Sequence, residues 1–168
     1  MSGRQSQLTF IIRGSGLGPL LARTIPYLFG VFLLLTRVPT SKFTTSTSWT
    51  SLSWSLSITP KFATSLILVQ FQGLGQQVNT AKALSCITVY KNGTTNLGHS
   101  NLGLSCVGDV GSGGGVYVTA SNSFAVFDAP NTTSSVSYEL WGKSGTAGTA
   151  YPIHGSCRNT FILMEISA

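Results

Sequence analysis

The feature that most constrains the fold is a strict alternation of apolar residues and serines near the middle of the chain. The apolar positions of this stretch, TSLSWSLSI, are Leu52, Trp54, Leu56 and Ile58. A period of two places successive side chains on opposite faces of a β-strand, so the stretch predicts a strand with one buried face. Pro60 ends it because proline cannot donate to a β-ladder.

Similar short runs recur to the end of the chain, with no helical period between them. Together they predict an all-β fold, an antiparallel β-sandwich or a jelly-roll-like domain. The main strands are expected near 49–58, 66–71, 84–91, 135–141 and 160–166.

Weaker patterns predict the connecting parts. Residues 40–47 are a linker or first edge strand, 97–107 a strand pair or bulged strand, and 116–120 and 123–127 short strands. Asn92-Gly93 is the strongest turn signal. The Gly/Ser/Thr-rich stretch 142–159 is expected to be one long loop.

Charge is scarce and unevenly placed. Charged residues make up 8% of the chain, against about 25% in an average globular protein. The net charge is +6, but four arginines and no acid precede residue 40. The basic balance therefore belongs to the N-terminal segment, and no nucleic-acid-binding patch is predicted.

The first 40 residues form a leader before a β-domain at 41–168. Its apolar segment, 25–35, has eleven residues, fewer than the about twenty of a membrane-spanning helix. An extension over 17–37 would reach that length but includes prolines and arginines. An anchor or signal segment, a packing segment and a disordered extension all remain open, and membrane contact by 17–37 is one of these possibilities.

The residues that could carry chemistry do not form a recognisable motif. Asp109, Asp128, Glu139 and Glu165 are far apart in sequence, so no general acid/base pair is indicated. We therefore expect a protein that is not an enzyme and has no cofactor. We expect Asp128 to cap a turn through backbone N–H groups, and Glu165 to face solvent or a neighbouring subunit.

Histidines and cysteines give no metal signal either. His99 and His154 lie in predicted loops, and a pocket that brought either onto an acid or a cysteine would favour an enzyme. Three cysteines cannot all pair within one chain, and no zinc-ligand spacing occurs, so no metal site is predicted. We expect small, buried or half-buried free thiols, with a disulfide framework as the alternative.

Three blocks of sequence resemble the C-terminal β-sandwich module of bacteriophage tail-fibre and related virion structural proteins. The first is an alternating strand with an S-x-T-P turn and S-x-I-L-V, the second an Asp-x-Pro loop with its following strand, and the third a terminal M-E-I strand. The matching residues are Ser57, Thr59, Pro60, Ser65, Ile67, Leu68, Val69, Asp128, Pro130, Ser135, Tyr138, Gly142, Thr160, Ile162, Met164, Glu165 and Ile166.

The resemblance covers about 44–168 and implies a virion protein, with host-surface attachment as its task. It implies a homotrimer and contacts with other virion proteins. The alternative is a secreted or membrane-anchored adhesive β-sandwich. Loops at one end of a sandwich often bind ligands and aromatic rings stack on sugars, so Tyr151, His154 and Arg158 are the candidate binding residues for a host-surface glycan or protein.

Overall fold

A computed structural model describes residues 31–38, 41–78, 84–108, 118–145, 148–155 and 158–166. These residues form strands and turns and contain no helix. The predicted all-β class with antiparallel pairing is confirmed. The strands in chain order are β1 (Val31–Val38), β2 (Lys42–Thr44), β3 (Thr50–Ile58), β4 (Leu66–Gln72), β5 (Leu74–Val78), β6 (Leu84–Lys91), β7 (Thr95–Asn96), β8 (Ser105–Gly108), β9 (Val118–Ser121), β10 (Phe124–Asp128), β11 (Val136–Ser144), β12 (Thr149–Ile153) and β13 (Asn159–Ile166).

The strands form three antiparallel sheets. The first sheet has the order β1-β13-β4-β10, and the second has the order β3-β11-β6-β7 with β8 also paired to β6. The third sheet has the order β2-β12-β5-β9. The C-terminal strand β13 thus lies inside a sheet, between β1 and β4, as its apolar sequence predicts.

The core lies between the first and second sheets. Trp54 of the second sheet packs on two rings of the first sheet, with centroids 6.1 Å from Phe71 and 5.8 Å from Phe161. The fully buried side chains include Tyr138 and Leu140 of β11 and Leu163 of β13. The alternating burial of β3, β11 and β13 follows the period of two in the sequence.

The chain passes directly from the first to the third sheet at Gly73, the one residue between β4 and β5. A Cβ atom there would overlap the side chains of Phe71 and Asn159, so the close approach requires glycine. Two buried asparagines hold this corner. Asn159 Oδ1 accepts the N–H of Leu74 (3.2 Å), and the N–H of Asn122 donates to the Gly73 carbonyl (3.0 Å).

The predicted Asn92-Gly93 turn is confirmed. Both residues have positive φ, 50° and 69°, and the N–H of Thr94 closes the turn on the Lys91 carbonyl at 3.1 Å. This backbone twist suits a tight hairpin, here the connection from β6 to β7.

The long loop predicted over 142–159 is wrong. Strand β11 continues to Ser144, and Thr149–Ile153 is strand β12 at the middle of the third sheet. The strand was not predicted because it contains Pro152, and proline usually marks the end of a strand. Here Pro152 sits where the β12–β2 register shifts between Ala150 and Ile153, so its missing N–H interrupts no regular ladder.

The expectation of free thiols is wrong for two of the three cysteines. Cys86 of β6 and Cys106 of β8 form a disulfide between directly paired positions, 20 residues apart in sequence. No local pattern in the sequence indicates this pairing, because it depends on β8 folding back onto β6. Cys157 lies outside the described residues.

The domain division at residue 40 stays a prediction. The strand β1 begins inside the proposed leader and pairs along its whole length with β13, from Val31 opposite Ile166 to Val38 opposite Asn159. Residues 1–30, with the start of the apolar segment, lie outside the described residues.

Candidate functional surfaces

In the first sheet, the outward side of β4, β10 and β13 is an uncharged, mainly apolar surface. On β4, β10 and β13, alternate side chains are buried in the core, and those between them face outward. Phe127 is 59% and Leu66 41% exposed. We call this surface the apolar face and define it by Leu66, Leu68, Phe127, Ile162, Met164 and Ile166.

The register lines these side chains up in rows across the sheet. Phe127 pairs with Leu68 and Leu68 with Met164, while Leu66 pairs with Ile166. The remaining outward residues of these three strands are alanine, glutamine and threonine. Soluble monomers rarely expose contiguous apolar patches of this kind, which mark interaction sites.

The two acids of this sheet point inward instead, and both sequence expectations about them are wrong. Asp128 does not cap a turn: its Oδ1 binds Lys91 Nζ at 2.9 Å, and its Oδ2 accepts the Tyr138 hydroxyl at 2.8 Å. Burial raises the pKa of the Tyr138 hydroxyl well above its usual range, and the hydrogen bond to Asp128 adds to this. Glu165 is 4% exposed and accepts the N–H of Lys61 at 2.7 Å.

Two of the three predicted binding residues, Tyr151 and His154, lie at or next to β12 of the third sheet, whereas Arg158 directly precedes β13 of the first sheet. Tyr151 is on β12, and its ring makes an edge-on contact with His154, with centroids 6.0 Å apart. Asn159 Nδ2 donates to the His154 carbonyl at 2.9 Å. Arg158, which precedes Asn159, is exposed. The structure thus brings Tyr151 and His154 into contact and connects His154 to the residue that follows Arg158.

The third sheet adds residues that the sequence did not reveal. Phe43 of β2 is 65% exposed, and its ring centroid lies 5.9 Å from that of Tyr151. On the other side of Tyr151, the row continues through its strand partner Gln76 to Thr119, the partner of Gln76. The Gln76 amide donates a hydrogen bond of 2.8 Å to the Thr119 hydroxyl. We call Phe43, Tyr151, His154, Gln76 and Thr119 the aromatic row. Four of its members come from four different strands and His154 follows β12, so no local pattern could have found it.

A second aromatic pair lies on the outward side of the second sheet. The rings of Tyr90 and Trp141 stack with centroids 4.2 Å apart. Glu139 accepts the Trp141 indole N–H at 2.8 Å and the Ser51 hydroxyl. These polar groups satisfy one another, so the cluster is a self-contained packing unit.

The described residues do not place a histidine on an acid. His99 Nδ1 accepts the backbone N–H groups of Asn101 and Leu102, each at 3.2 Å, and so shapes its own turn. His154 Nδ1 is buried and has no hydrogen-bond partner. No group of three His, Cys, Asp or Glu side chains among the described residues could hold a metal ion. This part of the chain also has no helix long and apolar enough to span a bilayer.

No protein-family model matches the sequence, and no curated protein matches it. Solved structures with some likeness come from infectious bursal disease virus. The VP2 subviral particle is 16% identical with a TM-score of 0.40, and the match covers 94% of this chain and 42% of that one. The T13 viral particle is 14% identical with a TM-score of 0.41, covering 92% and 39%.

The chain thus spans less than half the length of these viral proteins. Identities and TM-scores of this size do not by themselves indicate a shared function. Neither protein is described as a tail fibre, so the tail-fibre resemblance stays a prediction.

Proposed function

We propose that this chain is a non-enzymatic structural module of a virus particle, carried on a fibre and engaged in host-surface attachment. In this proposal it is a homotrimer that also contacts other virion proteins. The observation that carries the proposal is the apolar face, because a module built to assemble must leave one such surface outside its own core. The resemblance in sequence to virion fibre modules supports the same role.

The composition of the apolar face suits burial against a second copy. Fully burying one large apolar side chain is worth about 1.5–3 kcal/mol, and six such side chains lie together here. Each is already partly buried in the single chain, so the gross gain per copy is below that of six full burials and is comparable with the about 4–15 kcal/mol estimated for the cost of association. The outward residues of β4, β10 and β13 include no charge that would oppose a second copy.

The position of the apolar face also fits an assembly role. It lies on β4 and β13, which supply fully buried core residues such as Phe71 and Leu163 on their other side. A surface on such well-packed strands is rigid, so little conformational entropy is lost on association. The three-fold symmetry comes from the sequence resemblance, because the apolar face alone does not distinguish a dimer from a trimer.

The disulfide between Cys86 and Cys106 supports a location outside a reducing cytosol. Disulfides persist in secreted proteins and at virion and cell surfaces, and they are rare in the cytosol. A module on the outside of a particle meets this condition.

Light scattering on the full chain tests the assembly. We expect a mass of three chains for the wild type. Phe127→Asp places a charge in the apolar face and should give a folded monomer, with an unchanged β-type circular dichroism spectrum. Phe62→Asp is the matched control, because Phe62 is 46% exposed in the β3–β4 turn, outside the apolar face.

The possible outcomes separate the parts of the proposal. A wild-type chain that is a monodisperse monomer refutes the assembly. A wild-type dimer that Phe127→Asp dissociates refutes only the three-fold symmetry. If Phe62→Asp dissociates the assembly to the same extent as Phe127→Asp, the apolar face is not the specific interface.

A further inference from the structure

We infer that the aromatic row, together with Arg158, binds a carboxylate-bearing sugar of a surface glycan. This rests on the proposed attachment function and names the ligand class for it. The site combines an aromatic platform, hydrogen-bonding groups beside it and a local charge that favours anions.

The platform is formed by Phe43 and Tyr151. Phe43 is 65% exposed, although it sits on a strand next to a second aromatic ring. The two ring planes are inclined by 48°, so together they form an open, angled apolar surface rather than a closed stack. Rings of this kind offer an apolar face to the C–H groups of a sugar.

Hydrogen-bonding groups flank the platform on the side away from Phe43. Tyr151 pairs with Gln76 and Gln76 with Thr119, so an amide and a hydroxyl continue the row. Gln76 Nε2 donates to Thr119 Oγ1 at 2.8 Å, which holds the amide in place and leaves its carbonyl oxygen as an acceptor. Sugar hydroxyl groups both donate and accept hydrogen bonds, so an amide and a hydroxyl beside the rings suit them.

The local charge selects an acidic ligand. The described strands β2, β5, β9 and β12 contain no Asp or Glu. Of the four acids, Asp128, Glu139 and Glu165 belong to the other two sheets, and Asp109 lies outside the described residues. A carboxylate approaching the third sheet therefore meets no acid of these strands.

The cation assigned to the carboxylate is Arg158, which directly precedes Asn159, the residue whose side chain donates to the His154 carbonyl. It is exposed, and the one ion pair among the described residues, Lys91 with Asp128, does not involve it. Its guanidinium is therefore available to form the two parallel hydrogen bonds that arginine makes with a carboxylate.

Binding of 3′-sialyllactose and of lactose to the full-length chain tests this inference, because the two probes differ by one acidic sugar. We expect saturable binding of sialyllactose and weaker binding of lactose, measured by ligand-observed NMR. Phe43→Ala should weaken sialyllactose binding about tenfold, which corresponds to about 1.4 kcal/mol. Phe43 is so exposed that the variant should fold normally. Arg158→Gln should remove the difference between the two probes.

A matched control is offered by Lys61 and Phe62, where an exposed ring also lies beside a cation, 5.5 Å from Nζ to the ring centroid. Phe62→Ala and Lys61→Gln should leave sialyllactose binding unchanged. The inference is overturned if neither probe binds, if Phe43→Ala binds like the wild type, or if the control variants weaken binding equally. Equal wild-type binding of both probes overturns the acidic selectivity.

The masses of the same samples keep this test separate from that of the assembly. A monomer that binds sialyllactose with the expected variant pattern refutes the assembly and supports the sugar site. A trimer that binds neither probe supports the assembly and refutes the sugar site.

Discussion

Leu163→Ala is expected to lower the free energy of unfolding by about 2–5 kcal/mol. Leu163 lies on β13 opposite Val69 of β4, and its side chain is fully buried in the main core. The change removes three carbon atoms, worth about 0.8 kcal/mol each in lost transfer free energy. The cavity left between the two sheets adds to this loss, because the surrounding side chains relax only partly.

Met164→Ala is the matched control, because it shortens the neighbouring side chain of the same strand. Met164 is half-buried and faces outward, in the apolar face. In a single chain its truncation should cost less than about 1 kcal/mol. In the assembly it should cost more, and the cost should rise with chain concentration because assembly is linked to folding.

Urea unfolding followed by tryptophan fluorescence measures both variants, at low and at high chain concentration. If Leu163→Ala costs no more than Met164→Ala at low concentration, the burial pattern of β13 is wrong. A cost of Met164→Ala that does not change with concentration would contradict the assembly through the apolar face.

Three further predictions concern single features of the second sheet and its connections. Tyr138→Phe should lose about 1.5–3 kcal/mol near neutral pH, since Asp128 loses a hydrogen bond. Above about pH 10 the difference in unfolding free energy between wild type and variant should become smaller in urea titrations. The Tyr138 hydroxyl then ionises in the unfolded wild type but not in the folded one, which stabilises the unfolded state and lowers the stability of the wild type. A difference that does not change with pH would argue against the buried phenol. Replacing Cys86 and Cys106 by serine should cost about 3 kcal/mol for a closed loop of this length, and an unchanged urea midpoint would contradict the disulfide. Gly93→Ala should cost about 1–2 kcal/mol through its positive φ alone, because nothing lies near its added methyl group; an unchanged thermal midpoint would show a different turn.

The sequence determined the class of fold and most of the long strands. The predicted segments 66–71, 84–91 and 160–166 match β4, β6 and β13 to within one residue at either end. These predictions succeed because alternation and turn residues act between neighbours in the chain. The prediction failed at β12, where Pro152 indicated a loop. The strand tolerates this proline because the β12–β2 register shifts between Ala150 and Ile153.

The tertiary structure alone decided which residues share a surface. Tyr151 and His154 were proposed from their place in a supposed loop, but the sheet order β2-β12-β5-β9 is what brings Phe43 and Gln76 beside them. Strand pairing and sheet packing also decided that Cys86 and Cys106 form a disulfide and that the side chains of Asp128 and Glu165 point inward. A strand's own residues specify that it has two faces, whereas the strands that pair with it, and the sheet that packs on it, decide which face is buried and which meets a partner.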